Sequence, residues 1–149
     1  MCIGTYSRDK LVSFSSIKNF LQLMQCYLVL VYIHRSFFAQ AIIEQPANPL
    51  KSVYAPSFLA AYRASAAILK SICEQFNTCP SSCGRYWVMW TYAFSAAVVF
   101  GTVVTRGPRS PLANSAMMEL DQAILLFSRA AVYSRRVTKA LVSRYGSSR

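Results

Sequence analysis

Acidic residues and histidine are scarce in this sequence, which has five Asp and Glu residues and a single histidine, His34. Acid–base and nucleophilic catalysis need such side chains in close pairs or triads. Glu119 and Asp121 lie two residues apart on a predicted helix, where side chains at that spacing point to different sides. The acids nearest to His34 along the chain are Asp9 and Glu44, too distant to form a local catalytic pair. The sequence therefore predicts no catalytic residue and a protein that is not an enzyme.

Glycine-rich loops and complete cysteine pairs are also lacking. The five glycines stand singly, so no glycine-rich segment is present to hold a phosphate group. Cys73, Cys79 and Cys83 have five and three residues between them, whereas zinc sites favour close pairs that supply four ligands in total. The sequence therefore predicts reduced thiols without a metal, and no cofactor. The full set of cysteines is Cys2, Cys26, Cys73, Cys79 and Cys83.

Positive charge, by contrast, is abundant. The chain has 16 Lys and Arg residues against five acids, which gives a formal net charge of +11. This balance favours polyanionic neighbours such as nucleic acid, acidic proteins or an anionic membrane face. After Asp121 every charged residue is basic, a pattern typical of a solvated helix face and tail. We expect at most weak, non-specific nucleic-acid binding there, through Arg129, Arg135, Arg136, Lys139 and Arg144.

Apolar residues recur at steps of three and four residues, the spacing that places them on one helix face. The pattern predicts helices over 16–38, 56–76 and 85–104, and a fourth that starts at the Ser110-Pro111 pair. Proline- and glycine-containing loops separate them at 44–56, 77–84 and 105–110. The expected fold is an all-α domain over 16–149, with about four main, mostly antiparallel helices. Residues 1–15 lack periodicity and are expected to be irregular.

Four short segments of the sequence, called phrases below, resemble segments of one known family and occur in the same order. The apolar run 27–38 closes with His34-Arg35-Ser36-Phe37-Phe38, which would place the histidine and arginine near the negative end of the first helix. Tyr54-Ala55-Pro56-Ser57 then opens the second helix, and the third phrase covers 86–100. The fourth is a Leu-Asp-x-Ala-x-x-Leu-Phe phrase at 120–127. Together they resemble the regulatory domain of fungal-specific transcription factors, roughly over 21–141.

The resemblance implies a nuclear module that regulates transcription through a small effector or protein partners and catalyses no reaction. The family usually places a six-cysteine binuclear zinc cluster and further helices before the His-Arg phrase. No run of that spacing occurs in this sequence, so the resemblance assigns specific DNA recognition to none of its residues. The chain is therefore expected to correspond to the C-terminal part of the regulatory domain, as a fragment or a truncated form.

A small helical membrane protein is the alternative. Residues 86–105 are 20 consecutive uncharged residues between Arg85 and Arg106, and a helix of that length spans roughly 30 Å of hydrocarbon. Trp87 and Trp90 near one end resemble an interfacial belt. Arg63, within the amphipathic second helix, is typical of a soluble packing face and, with the resemblance, favours the soluble module.

Overall fold

The computed structural model describes residues 4–84 and 86–146, with side chains over 16–81, 83–84 and 86–135. Four long helices make up most of this part of the chain, and no strand occurs in it. A 3-10 helix at Pro49–Lys51 and a one-turn helix, α3, lie between them. The prediction of an all-α domain with four main helices is confirmed. The α-helices are α1 (Gly4–Glu44), α2 (Ala55–Thr78), α3 (Pro80–Cys83), α4 (Trp87–Arg106) and α5 (Ala113–Gly146).

Helix α1 is longer at both ends than the apolar periodicity indicates. It begins at Gly4, so the expectation of an irregular segment over 1–15 is not met for residues 4–15, and residues 1–3 lie outside the described part. It continues beyond Phe38 to Glu44. The first proline of the chain is Pro46, so nothing before it removes a backbone donor and interrupts the helical hydrogen bonds.

Helix α2 lies at the centre of the fold and contacts α1, α4 and α5. Pro56 occupies its first turn, as the sequence predicts, because the proline nitrogen lies where the helix has no internal acceptor. Its residues at three- and four-residue steps form one continuous buried face. These residues are Phe58, Ala61, Ala64, Ser65, Ile68, Leu69, Ile72 and Phe76.

Helix α4 packs against α2 and α5, and to a smaller extent against α1. Ala93 and Ala96 are fully buried on its inner face, and their small side chains allow the neighbouring helices to approach closely. The other buried residues of that face are Met89, Val99, Phe100 and Val103. The opposite face, with Trp87, Phe94 and Val98, is exposed.

The turn before α5 is fixed by a serine and a glycine. Ser110 Oγ accepts a hydrogen bond of 3.3 Å from the Leu112 amide, although the helix itself begins three residues after the serine, at Ala113. A side chain at Gly107 would lie 3.3 Å from the Val103 carbonyl oxygen and 3.4 Å from that of Pro46. Glycine at this position therefore lets the α4–α5 turn approach the loop that follows α1.

Two groups of aromatic rings connect the helices. In the first, the Phe38 and Phe58 rings stack at 5.1 Å between α1 and α2, and the Tyr62 ring meets that of Phe100 edge-on at 5.1 Å between α2 and α4. Phe58 and Tyr62 are themselves 6.4 Å apart, so these four rings form one chain across three helices. Such pairs contribute roughly 0.5 to 1.5 kcal/mol each beyond the area they bury.

The second aromatic group joins the other end of α2 to α4 and α5. The Phe76 ring lies edge-on to the Trp90 ring at 5.8 Å and to the Tyr133 ring at 6.2 Å. Trp90 also lies 6.2 Å from the Phe127 ring. This group places the middle of α5 near the C-terminal end of α2 and the N-terminal part of α4.

Candidate functional site

The single histidine connects α1 to the first turn of α2. His34 Nδ1 lies 3.1 Å from Ser57 Oγ, within hydrogen-bonding distance. Because α1 continues to Glu44, His34 lies in the interior of the helix, and the expectation that it occupies the negative end is wrong. Arg35 is exposed, and its guanidinium lies 5.5 Å from the centre of the Tyr32 ring. The structure therefore gives His34 a contact between helices.

The same junction is held by a carboxylate and a ring stack. Ser52 Oγ donates a 2.9 Å hydrogen bond to Glu44 Oε2 and accepts one of 3.1 Å from the Tyr54 amide. The Phe37 ring stacks on the Tyr54 ring at 5.4 Å. These contacts join the last turns of α1 to the start of α2. They therefore constrain how the two helices are placed on either side of the connecting loop.

The thiols near the end of α2 are not part of any group of three His, Cys, Asp or Glu side chains that lies together within the described residues. Burial raises the pKa of the Cys83 thiol to about 11, and the nearby Cys79 acts in the same direction. Burial also raises the pKa of the Cys73 thiol, although Arg129 opposes the shift. Thiols held in the protonated form are poor nucleophiles and poor metal ligands.

Among the described residues, two buried hydroxyl groups at the helix interfaces have no hydrogen-bond partner. They are Tyr62 Oη and Ser65 Oγ, and Ser65 is fully buried. Burial, with a smaller contribution from the Glu119 carboxylate, raises the pKa of the Tyr62 phenol. A buried hydroxyl without a partner lowers stability because it has lost its hydrogen bonds to water.

The basic residues of α5 make different contacts. Arg129 Nη2 donates a 2.9 Å hydrogen bond to Asn77 Oδ1, and its guanidinium lies 5.6 Å from the centre of the Phe76 ring. Arg135 Nε donates to the Ala131 carbonyl oxygen at 3.4 Å. The backbone of α5 continues through Arg136, Lys139 and Arg144, whose side chains lie outside the described part. The expected binding by these residues stays a prediction.

Many large apolar side chains are exposed on α1, α4 and α5. On α1, Leu23, Leu30, Ile33 and Phe37 recur at three-, four- and seven-residue steps and are each 41% to 61% exposed. We call these four residues the α1 face. The exposed apolar residues of α4 are Trp87, Phe94 and Val98, and those of α5 are Met117, Met118, Ile124, Leu125 and Val132. Apolar surface of this extent is characteristic of contact with protein or membrane.

In the part of the chain that the structure describes, two helices have the length and composition of a membrane span, namely Ser16–Glu44 within α1 and Trp87–Arg106. Only 22% and 33% of their most apolar windows are buried. Hydroxyls on α4 are satisfied within the helix, because Ser95, Thr102 and Thr105 each donate to the carbonyl oxygen four residues earlier. Core helices of soluble proteins and membrane helices can both have these properties.

Comparison of the chain with family models, with curated proteins and with solved structures gives no match.

We expect the same substitution at two serines of α2 to have opposite effects on stability. Ser65→Ala removes the buried, unpaired hydroxyl and should raise the free energy of unfolding by about 1 kcal/mol. Ser57→Ala, the matched control, removes the hydrogen-bond partner of His34 and should lower it by about 1 kcal/mol. Urea denaturation followed by circular dichroism measures both. A loss of stability in Ser65→Ala would mean that a water molecule or ligand satisfies the hydroxyl.

A second expectation concerns nucleic acid. Binding through the basic residues of α5 should be sequence-independent and should weaken steeply as salt rises, because only phosphate contacts are available. Fluorescence anisotropy with several duplexes at two salt concentrations measures both properties. Discrimination between duplex sequences that persists at high salt would contradict this expectation.

Proposed function

We propose that this chain is the regulatory helical module of a fungal transcription factor, responsive to an effector or a protein partner and non-catalytic. In this proposal the module acts in the nucleus and contains no element for specific DNA recognition. The specific binding of DNA would belong to a zinc cluster elsewhere in the same polypeptide or in a partner. In this proposal the module transmits the binding of an effector or partner through its packed helices.

One observation carries the proposal: the phrases that resemble the family meet in pairs in the folded chain. The phrase 27–38 contacts 54–57 through the hydrogen bond of His34 to Ser57. The phrase 86–100 contacts 120–127 through the 6.2 Å approach of Trp90 and Phe127. Residues that a resemblance selects by order alone thus make two of the contacts between helices. This supports the view that the phrases describe one packing arrangement.

The chemistry of the chain also supports a module without catalysis. In the described part, His34 is paired with a serine, and the buried Cys83 has a raised pKa. The exposed apolar surface on α1, α4 and α5 suits contact with other proteins better than reaction with a substrate. A protein partner is accordingly the first class to test.

A reporter assay tests the proposal. The chain is fused to a heterologous DNA-binding and activation domain in fungal cells, where we expect the fusion to be nuclear and to alter reporter expression relative to the two domains alone. Phe58→Ala, which removes a fully buried ring, should abolish the effect, and Val53→Ala at a position 88% exposed should not. Immunoblots correct for protein level. Unchanged reporter expression with the intact chain, or the same effect with Phe58→Ala, would contradict the proposal.

The transcript upstream of Met1 provides an independent observation. An in-frame six-cysteine cluster there would support the proposal directly, because it would supply the specific DNA-binding element that this chain lacks. An in-frame sequence of unrelated character would count against it.

The second candidate is a helical membrane protein, favoured by the two apolar helices and their low burial. Two arginine substitutions on α4 separate it from the soluble module. Ala96 is fully buried, whereas Val98, two residues away, is 51% exposed. In the soluble module Ala96→Arg should destabilise the fold strongly, because it buries an unpaired charge, and Val98→Arg should be tolerated.

In a membrane protein Val98→Arg should also be harmful, since a charge near the centre of a span costs about 2.5 to 3.5 kcal/mol on insertion scales. Alkaline carbonate extraction and protease protection in intact vesicles measure the location of each variant. Release of the unaltered chain by carbonate, with normal levels of Val98→Arg, is the result expected for the soluble module. Carbonate-resistant protein with a protected terminus would support the membrane candidate instead.

A further inference from the structure

The outer face of α5 has a regular apolar stripe. Met117 and Met118, Ile124 and Leu125, and Ala131 and Val132 follow one another at seven-residue intervals, and all are exposed, the five larger ones by 44% to 68%. Seven residues are almost two helical turns, so these pairs lie on one side of the helix. We call these six residues the α5 stripe. The opposite side of α5, with Ala116, Ala123 and Leu126, is buried against the core.

Charged residues on the same side of α5 are arranged symmetrically about its middle. Asp121, Ser128 and Arg135 are exposed and follow one another at the same seven-residue interval, on the same side of the helix as the α5 stripe. The acid therefore lies one interval before the serine and the base one interval after it. If a second α5 helix runs in the opposite direction with its Ser128 beside this one, its acid lies at the level of Arg135 and its base at the level of Asp121.

We propose that the α5 stripe binds a second copy of this chain, with the two α5 helices antiparallel and a two-fold axis beside Ser128. In this arrangement Asp121 faces Arg135 of the partner subunit, and the partner subunit's Asp121 faces Arg135, so the ion pair forms twice. Leu125 packs against Ala131 and Val132 of the partner subunit. The interface is isologous, as in every two-fold symmetric dimer, and such dimers are the commonest homo-oligomers.

Charge complementarity selects this arrangement over others. Parallel α5 helices in register would place Asp121 against Asp121 and Arg135 against Arg135 of the partner subunit, and like charges repel. Each chain has a net charge of +11, so two copies repel one another in general. The antiparallel pairing places the acid of the stripe where it offsets a base of the other copy. The dimer is accordingly expected to depend on salt concentration.

The size of the α5 stripe fits a modest dimer. From Met117 to Arg135 the helix rises about 27 Å at 1.5 Å per residue, about five turns. A contact between two helices of this length lies at the low end of interfaces that are stable in solution. We therefore expect a reversible dimer with a dissociation constant on the order of micromolar. The inference does not depend on the proposed function.

Exchanging the charges of Asp121 and Arg135 by substitution tests the inference in the full chain. Sedimentation velocity over a concentration series compares the unaltered protein, Asp121→Arg, Arg135→Asp and the double variant. Each single substitution should weaken the dimer by about tenfold or more, because attraction becomes repulsion at both ion pairs. The double variant restores the opposite charges in exchanged positions with no change in net charge, and it should recover the dimer.

Glu74→Arg is the matched control, since Glu74 is an exposed acid of α2 and this substitution changes the net charge by the same amount as Asp121→Arg. It should leave the dimer nearly unchanged. A monomer at all concentrations would overturn the inference. A dimer that Asp121→Arg and Glu74→Arg weaken equally would place the interface elsewhere, for example on the α1 face, and failure of the double variant to recover the dimer would overturn the antiparallel register.

Discussion

Burial of one face of α2 is the constraint on which the rest of the structure depends. This face contains Phe58, Ile68 and Ile72, which are fully buried although α2 contributes only one side of the core. The other sides must come from α1, α4 and α5, all of which contact α2. Each large apolar side chain that leaves water in this way contributes roughly 1.5 to 3 kcal/mol. The positions of the other long helices therefore follow from the need to cover α2.

The contacts that orient these helices are few and of different kinds. At one end of α2, the hydrogen bond of His34 to Ser57 and the stacked rings of Phe38 and Phe58 fix α1. At the other end, the Phe76 ring contacts the rings of Trp90 and Tyr133, which fixes α4 and α5. Apolar burial has no direction, whereas hydrogen bonds and edge-on rings do. The directional contacts at both ends of α2 thus select one arrangement among the many that would cover its apolar face.

The chain covers α2 but leaves long apolar faces of α1, α4 and α5 exposed. Such surface is unfavourable in water unless protein or lipid covers it. The proposed regulatory module, by binding partners, and the alternative membrane protein, by contacting lipid, would each account for this exposure. The α5 stripe differs from the α1 face because Asp121 and Arg135 lie on the same side of the helix in a symmetric arrangement. This arrangement of charges favours a second copy of the chain as the partner of the α5 stripe. The α1 face has no charge within it that indicates a partner.

The sequence by itself determined the fold class and most of the helix bounds. The bounds of α2 are predicted to within a few residues by its apolar periodicity, by Pro56 and by the prolines of the preceding loop. These signals are local, because they act over one or two helical turns. It also predicted the basic character of α5. The length of α1 was underestimated, since a helix without proline continues beyond its periodic apolar residues. Only the tertiary structure decided three features: the partner of His34, the pairing of Trp90 with Phe127, and the exposure of the outer faces of α4 and α5. The physical reason is that a nearly all-apolar helix such as α4 gives no local signal of which face its neighbours will cover, and contacts between distant residues decide it.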